Sequence, residues 1–174
     1  VVERCLYGVD RNPLAVEIAA REGARIVWFP TVSSVNEQHE VLAADPEGKV
    51  PVWVRFELSL REAGLACEPV PVVDDHGALL PEAHEVLEVV ARHQMVLCTG
   101  HLSRDEIFAL VDGAVDAGIE TIVITHPEFP SQRVSPDEQR AHFQARSALP
   151  AGRAAIGSPA SQRSRSSASS AALA

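Results

Sequence analysis

Two apolar segments, Met95-Val-Leu-Cys-Thr99 and Thr121-Ile-Val-Ile-Thr125, begin 26 residues apart, and the interval holds a helix-patterned stretch. This spacing constrains the fold more than any other feature. A strand, a helix and a second strand of the same kind make a right-handed crossover, which forces the two strands to run parallel. Val70-Pro-Val-Val-Asp74 lies about 26 residues earlier and reads as a third strand of the series. The strands are almost continuously apolar, so both sheet faces must be covered. The fold class is therefore α/β, with parallel βα repeats. It is either part of a (β/α)8 barrel or an open doubly wound sheet. No GxGxxG or GxxxxGK[ST] follows any strand, so the nucleotide-binding forms lack support. About five strands are too few to close a barrel, which needs ~250 residues.

The intervening text supplies the helices. Asn12 caps a helix whose first position is Pro13, with Leu14, Ile18 and Ala19 as its apolar stripe and Gly23 as its stop. Arg25-Ile-Val-Trp-Phe29 reads as a buried strand ended by Pro30, residues 34–44 as a weaker helix, and Val50–Phe56 as a strand with Pro51 at its start or edge. Pro81–His93 carries Ala83, Val86, Leu87 and Val90 at helical spacing. Ser103 and Glu106 form a capping box before Ile107, Leu110, Val111 and Val115. A last helix starts at Ser135-Pro-Asp-Glu138 and ends near Ala145.

Charge divides the chain in two. All 24 acidic residues and 11 of the 15 Lys+Arg precede residue 146, while residues 146–174 hold four Arg and are rich in Ser and Ala. So few large aliphatics cannot offset the entropy of ordering. The domain reading is residues 1–145 as a partial (β/α) barrel and 146–174 as a disordered tail. A basic tail for an acidic partner and a shifted reading frame are the other readings of that segment. The chain starts at Val1, which suits a piece cut from a longer protein.

The net charge of −9, without a basic stripe, argues against nucleic-acid binding. No apolar run approaches the ~20 residues of a membrane span, and no secretory leader is visible. Cys5, Cys67 and Cys98 are widely separated, with no CxxC, which suits a reduced, cytoplasmic compartment.

Parallel α/β proteins place their chemistry where strands end. One strand is followed by Gly100-His101, and the next runs into His126-Pro127-Glu128. Two histidines thus hold nearly equivalent places in consecutive units. Neighbouring strands lie ~4.8 Å apart, so both imidazoles can reach one metal ion. Glu128 is a candidate acid or base, and Asp74, at the end of the preceding strand candidate, is a second. Asp75-His76-Gly77 is ordinary turn chemistry. Thr31, Ser33 and Ser34 either line the same mouth or cap the next helix. His39, His84, His93 and His142 sit in helices and read as solvated. A hydrolytic zinc site needs about three protein ligands and an open position for water, and this sequence contains no HxH or HExxH.

Asn12–Glu17, Gly23–Thr31, Leu80–His84, Thr99–Ser103, Glu106–Leu110 and Thr125–Phe129 resemble a poorly characterised family of amidohydrolase-like, metal-dependent hydrolases with a TIM-barrel fold. The likeness covers about residues 8–142 and is most specific at Thr99–Ser103 and Thr125–Phe129. It implies that His101 and His126 match the metal-binding histidines after the fifth and sixth barrel strands. It implies a divalent metal, zinc first and manganese or iron as alternatives, and metal-activated water attacking a C–N, C–O or P–O bond of a small-molecule substrate. The HxH of the superfamily's first strand and the Asp of its eighth have no counterpart, so the chain resembles the middle and later part of a barrel. The expectation is a hydrolase crippled by truncation, with no membrane partner and with self-association through open sheet edges. A non-catalytic α/β binding module and a gene fragment without function are the competing readings.

Overall fold

The computed structural model describes residues 8–9, 12–31, 33–37, 59–60, 62–65 and 68–147. Its elements are β1 (Gly8–Val9), α1 (Pro13–Arg21), β2 (Ile26–Trp28), α2 (Pro81–Arg92), β3 (Val96–Cys98), α3 (Arg104–Asp116), β4 (Ile122–Val123) and α4 (Pro136–Ser147). All three strand pairs are parallel, and the sheet order is β1-β2-β3-β4. The chain is thus a parallel α/β fold, as the strand spacing demands. The described strands follow one another across the sheet in chain order, without reversal.

Local sequence explains most of the elements. The Asn12 side chain accepts from the backbone N–H groups of Leu14 and Ala15, and Pro13 occupies the first turn where no donor is missed. Ser103 and Glu106 cap α3 reciprocally. Ser135 and Glu138 do the same for α4: Ser135 N–H donates to the carboxylate at 2.9 Å, and Glu138 N–H returns to Ser135 Oγ at 3.3 Å. The core is continuous from Val16 and Ala20 of α1 through Phe29, Val86, Leu87, Leu97, Ile107, Leu110 and Ile122 to Val134. Leu97 and Cys98 are buried in succession, so β3 is covered on both faces.

Two sequence expectations need correction. Val70–Asp74 is not a strand of the sheet. Val70 makes one parallel bridge to Ser34, and Val73 one antiparallel bridge to Leu79. Pro69 and Pro71 lack donors, and the turn after Asp74 folds the segment back on itself. β2 therefore pairs directly with β3. On α1, the expected stripe is on the wrong face: Leu14 is 66% and Ile18 54% exposed, while Val16 and Ala20 are buried. The last helix, α4, runs through Ser147, close to its expected end near Ala145. The strand read at residues 50–56, Cys5, Cys67 and the tail beyond Ser147 lie outside the described residues. Among the described residues, no helix is long and apolar enough to cross a membrane.

Candidate functional site

The carboxyl ends of β2, β3 and β4 converge on His101 and His126. The sheet ladder continues past the strand ends. Phe29 N–H donates to Cys98 O at 2.9 Å, Thr99 N–H to Val123 O at 3.0 Å, and His101 N–H to Pro30 O at 3.0 Å. His101 is thereby pinned to the exit of β2. Gly100 makes this approach feasible. Its φ is +66°, and a Cβ there would stand 2.2 Å from Phe29 O and 2.4 Å from Pro30 O. Only glycine fits that position.

His126 lies in the next exit, also with positive φ, at +47°. Its ring centroid is 5.7 Å from that of His101, with the planes tilted by 57°. Two imidazoles that share a tetrahedral ion at ~2.1 Å would have centroids about 5 Å apart. The observed spacing is therefore close to what shared ligation requires. Phe129 stacks on His126, at 4.5 Å between centroids and 12° between planes, and remains half-exposed.

The turn after β2, where Thr31, Ser33 and Ser34 were candidates to line the mouth, holds the site together. Ser34 Oγ donates to His101 O at 2.9 Å, and Asn36 Nδ2 donates to His101 O at 3.3 Å and to Ser131 O at 3.0 Å. Asn36 thus joins the loops after β3 and β4. Glu37 brings its carboxylate to 3.5 Å from His101 Nδ1, with side-chain exposures of 8% and 16%. Sequence reading missed both Asn36 and Glu37. Ser34-Val-Asn-Glu37 carries a capping-box pattern, and Glu37 N–H does donate to Ser34 Oγ at 3.0 Å. Ser34 N–H, however, donates to Thr31 O, which leaves the Glu37 carboxylate free to face His101.

The other sequence candidates stand apart. Glu128 is exposed in the turn after His126. Asp74 is exposed and accepts from the N–H groups of His76 and Ala78, both at 2.9 Å. It organises its own turn and is not joined to the histidine pair. Cys98, two residues before Gly100, is buried in β3, and that burial pushes its thiol up to about 11.

The donor set at the pair is two imidazoles, with a carboxylate behind one of them. It matches part of a divalent-metal site in type. Among the described residues, no group of three His, Cys, Asp or Glu side chains could hold a metal ion. The model of a family of unknown function, DUF6282, matches residues 8–149. No curated protein and no solved structure matches the chain.

Proposed function

We propose that this chain, which belongs to the DUF6282 family of unknown function, carries a metal site of the amidohydrolase type, built for hydrolysis of a small-molecule substrate. The observation behind this reading is the pairing of His101 and His126 at neighbouring strand ends, with centroids 5.7 Å apart. His101 and His126 would hold the ion, zinc first and manganese or iron as alternatives. When bound, such an ion lowers the pKa of a coordinated water and so supplies a nucleophile near neutral pH.

The chain's own groups divide the remaining work. Asn36 fixes the loops that carry the two histidines, through His101 O and Ser131 O. Phe129, stacked on His126, offers an apolar wall at the mouth. Exposed Glu128 is the candidate to take or give a proton at a C–N, C–O or P–O bond. Asp74 has no part in this reading, since its carboxylate serves the turn. The winding supports a barrel arc over a doubly wound sheet, because a doubly wound sheet reverses its strand order. This sequence has no HxH, so two imidazoles alone predict weak metal binding and low hydrolytic activity.

Zinc or cobalt titration of the purified protein tests the proposal, beside His101→Ala and His126→Ala. About one equivalent should bind, and each variant should bind at least ~10-fold more weakly. A folded wild-type protein that takes up neither ion would end the hydrolase reading. If metal binds, chromogenic amides, esters and phosphoesters then sort the three bond classes.

A further inference from the structure

The buried carboxylate behind His101 has no place in a simple two-histidine site. Glu37 is almost fully enclosed, and its Oε2 lies 3.5 Å from His101 Nδ1. That nitrogen is itself buried and has no hydrogen-bond partner at normal distance. A carboxylate withdrawn from water requires a donor. A bare nitrogen lone pair turned towards it would be repelled instead. With Glu37 ionised, the arrangement is coherent when Nδ1 carries a proton, which in the neutral ring leaves Nε2 with the lone pair.

We infer that Glu37 is the positioning residue of the site: it holds His101 in the Nδ1–H form and so commits Nε2 to ligation. Nδ1 is shielded from solvent, so the 16% exposure of the His101 side chain belongs to its other atoms. The same short segment fixes the backbone of His101, since Ser34 Oγ and Asn36 Nδ2 both donate to its carbonyl. Ring and main chain are thus set by residues 34–37 together. Glu37 acts through His101, whose Nδ1 its carboxylate faces at 3.5 Å. A carboxylate on the far nitrogen of a ligating histidine fixes its orientation and raises its basicity, and its loss costs about 10- to 100-fold in metal affinity.

The tautomer does not depend on metal and is measured first. Nitrogen NMR of protein labelled in its histidines, metal-free and at pH about 8.5 where imidazole is neutral, reads the His101 ring directly. Wild-type protein should show Nδ1–H. Glu37→Ala should shift His101 towards Nε2–H, while Glu37→Gln, which keeps an acceptor oxygen, should preserve Nδ1–H. An Nε2–H ring in wild-type protein would overturn the inference without recourse to any variant. So would a tautomer unchanged in folded Glu37→Ala protein.

The metal half of the inference rests on the proposed function, and zinc affinity measures it separately. Glu37→Ala should bind zinc about 10- to 100-fold more weakly, with Glu37→Gln closer to wild type. Wild-type affinity in Glu37→Ala, beside weakened His101→Ala and His126→Ala, would sink the role of Glu37 and spare the metal site. Failure of zinc binding in wild-type protein would sink the metal site, and the tautomer would still decide whether Glu37 sets the ring.

Discussion

His126 sits at φ +47°, a region that costs a residue with a Cβ about 1 kcal/mol and glycine almost nothing. Such outliers persist where the surroundings over-determine them, often at functional positions. Two substitutions separate backbone from side chain here. His126→Ala and His126→Gly both lose the imidazole and its stack on Phe129, but only the first keeps the backbone penalty. His126→Gly should therefore be more stable than His126→Ala by about 1 kcal/mol in urea unfolding, with metal binding equally impaired in both. Equal stabilities would mean that the backbone at 126 is relaxed and that the histidine is not held there at a cost. Other histidines show that residue type alone does not mark a site. His93 bonds Glu17 at 3.0 Å, and His142 stacks on Phe108 at 4.5 Å. Both serve helix packing, although the sequence suggested solvated side chains.

At the scale of elements, α1 shows what periodicity can and cannot decide. Leu14 with Ile18 and Val16 with Ala20 are both i,i+4 pairs, so either could face the core. Packing against α2 buries Val16 and Ala20, and Glu17 accepts from Arg92 Nη2 across that junction at 3.0 Å. Val16→Ala should destabilise by about 1–2.5 kcal/mol, while Leu14→Ala should stay within about 0.5. Chemical denaturation with an unchanged m-value checks both. The α4 cap makes a pH-dependent prediction. The Ser135 hydroxyl and N–H, together with Arg104, hold Glu138 down to about 2, below its ordinary value of 4.5. A lowered folded-state pKa contributes stability that is present above the unfolded value and lost as pH falls towards the folded one. Stability should therefore decline between about pH 4.5 and 2, and Glu138→Gln should flatten part of that slope in acid titrations followed by circular dichroism. The caps themselves were legible in the sequence because their partners lie three residues apart. Val70–Asp74 was misread because its fate depends on distant Ser34 and on two prolines that interrupt a ladder. Glu37 was invisible for a similar reason: its target is 64 residues away in the chain.

At the scale of the molecule, the pair of histidines depends on three separate strand exits. β2 supplies Ser34, Asn36 and Glu37, β3 supplies His101, and β4 supplies His126. Gly100 lets the first two exits meet, and Asn36 ties the second to the third through Ser131 O. The histidines were legible because each follows its strand directly, and parallel strands in chain order bring such positions together. The brace from β2 was not, because it requires knowing that β2, and not residues 70–74, lies beside β3. An ion held between His101 and His126 would then cross-link the β3 and β4 exits in the folded state alone. Ligand that binds only the folded form stabilises it by RT ln(1 + [L]/Kd), about 1.4 kcal/mol at tenfold Kd. For a domain of this size that corresponds to a rise of roughly 3–5 °C in Tm. Zinc should produce such a rise in wild-type protein, none in His126→Gly, and a reduced one in Asn36→Ala, whose loops are no longer tied. A zinc-induced shift that survives His126→Gly would place the bound ion elsewhere on the molecule. An undiminished shift in Asn36→Ala would show that the sheet alone, without the brace, is enough to set the distance between the two rings.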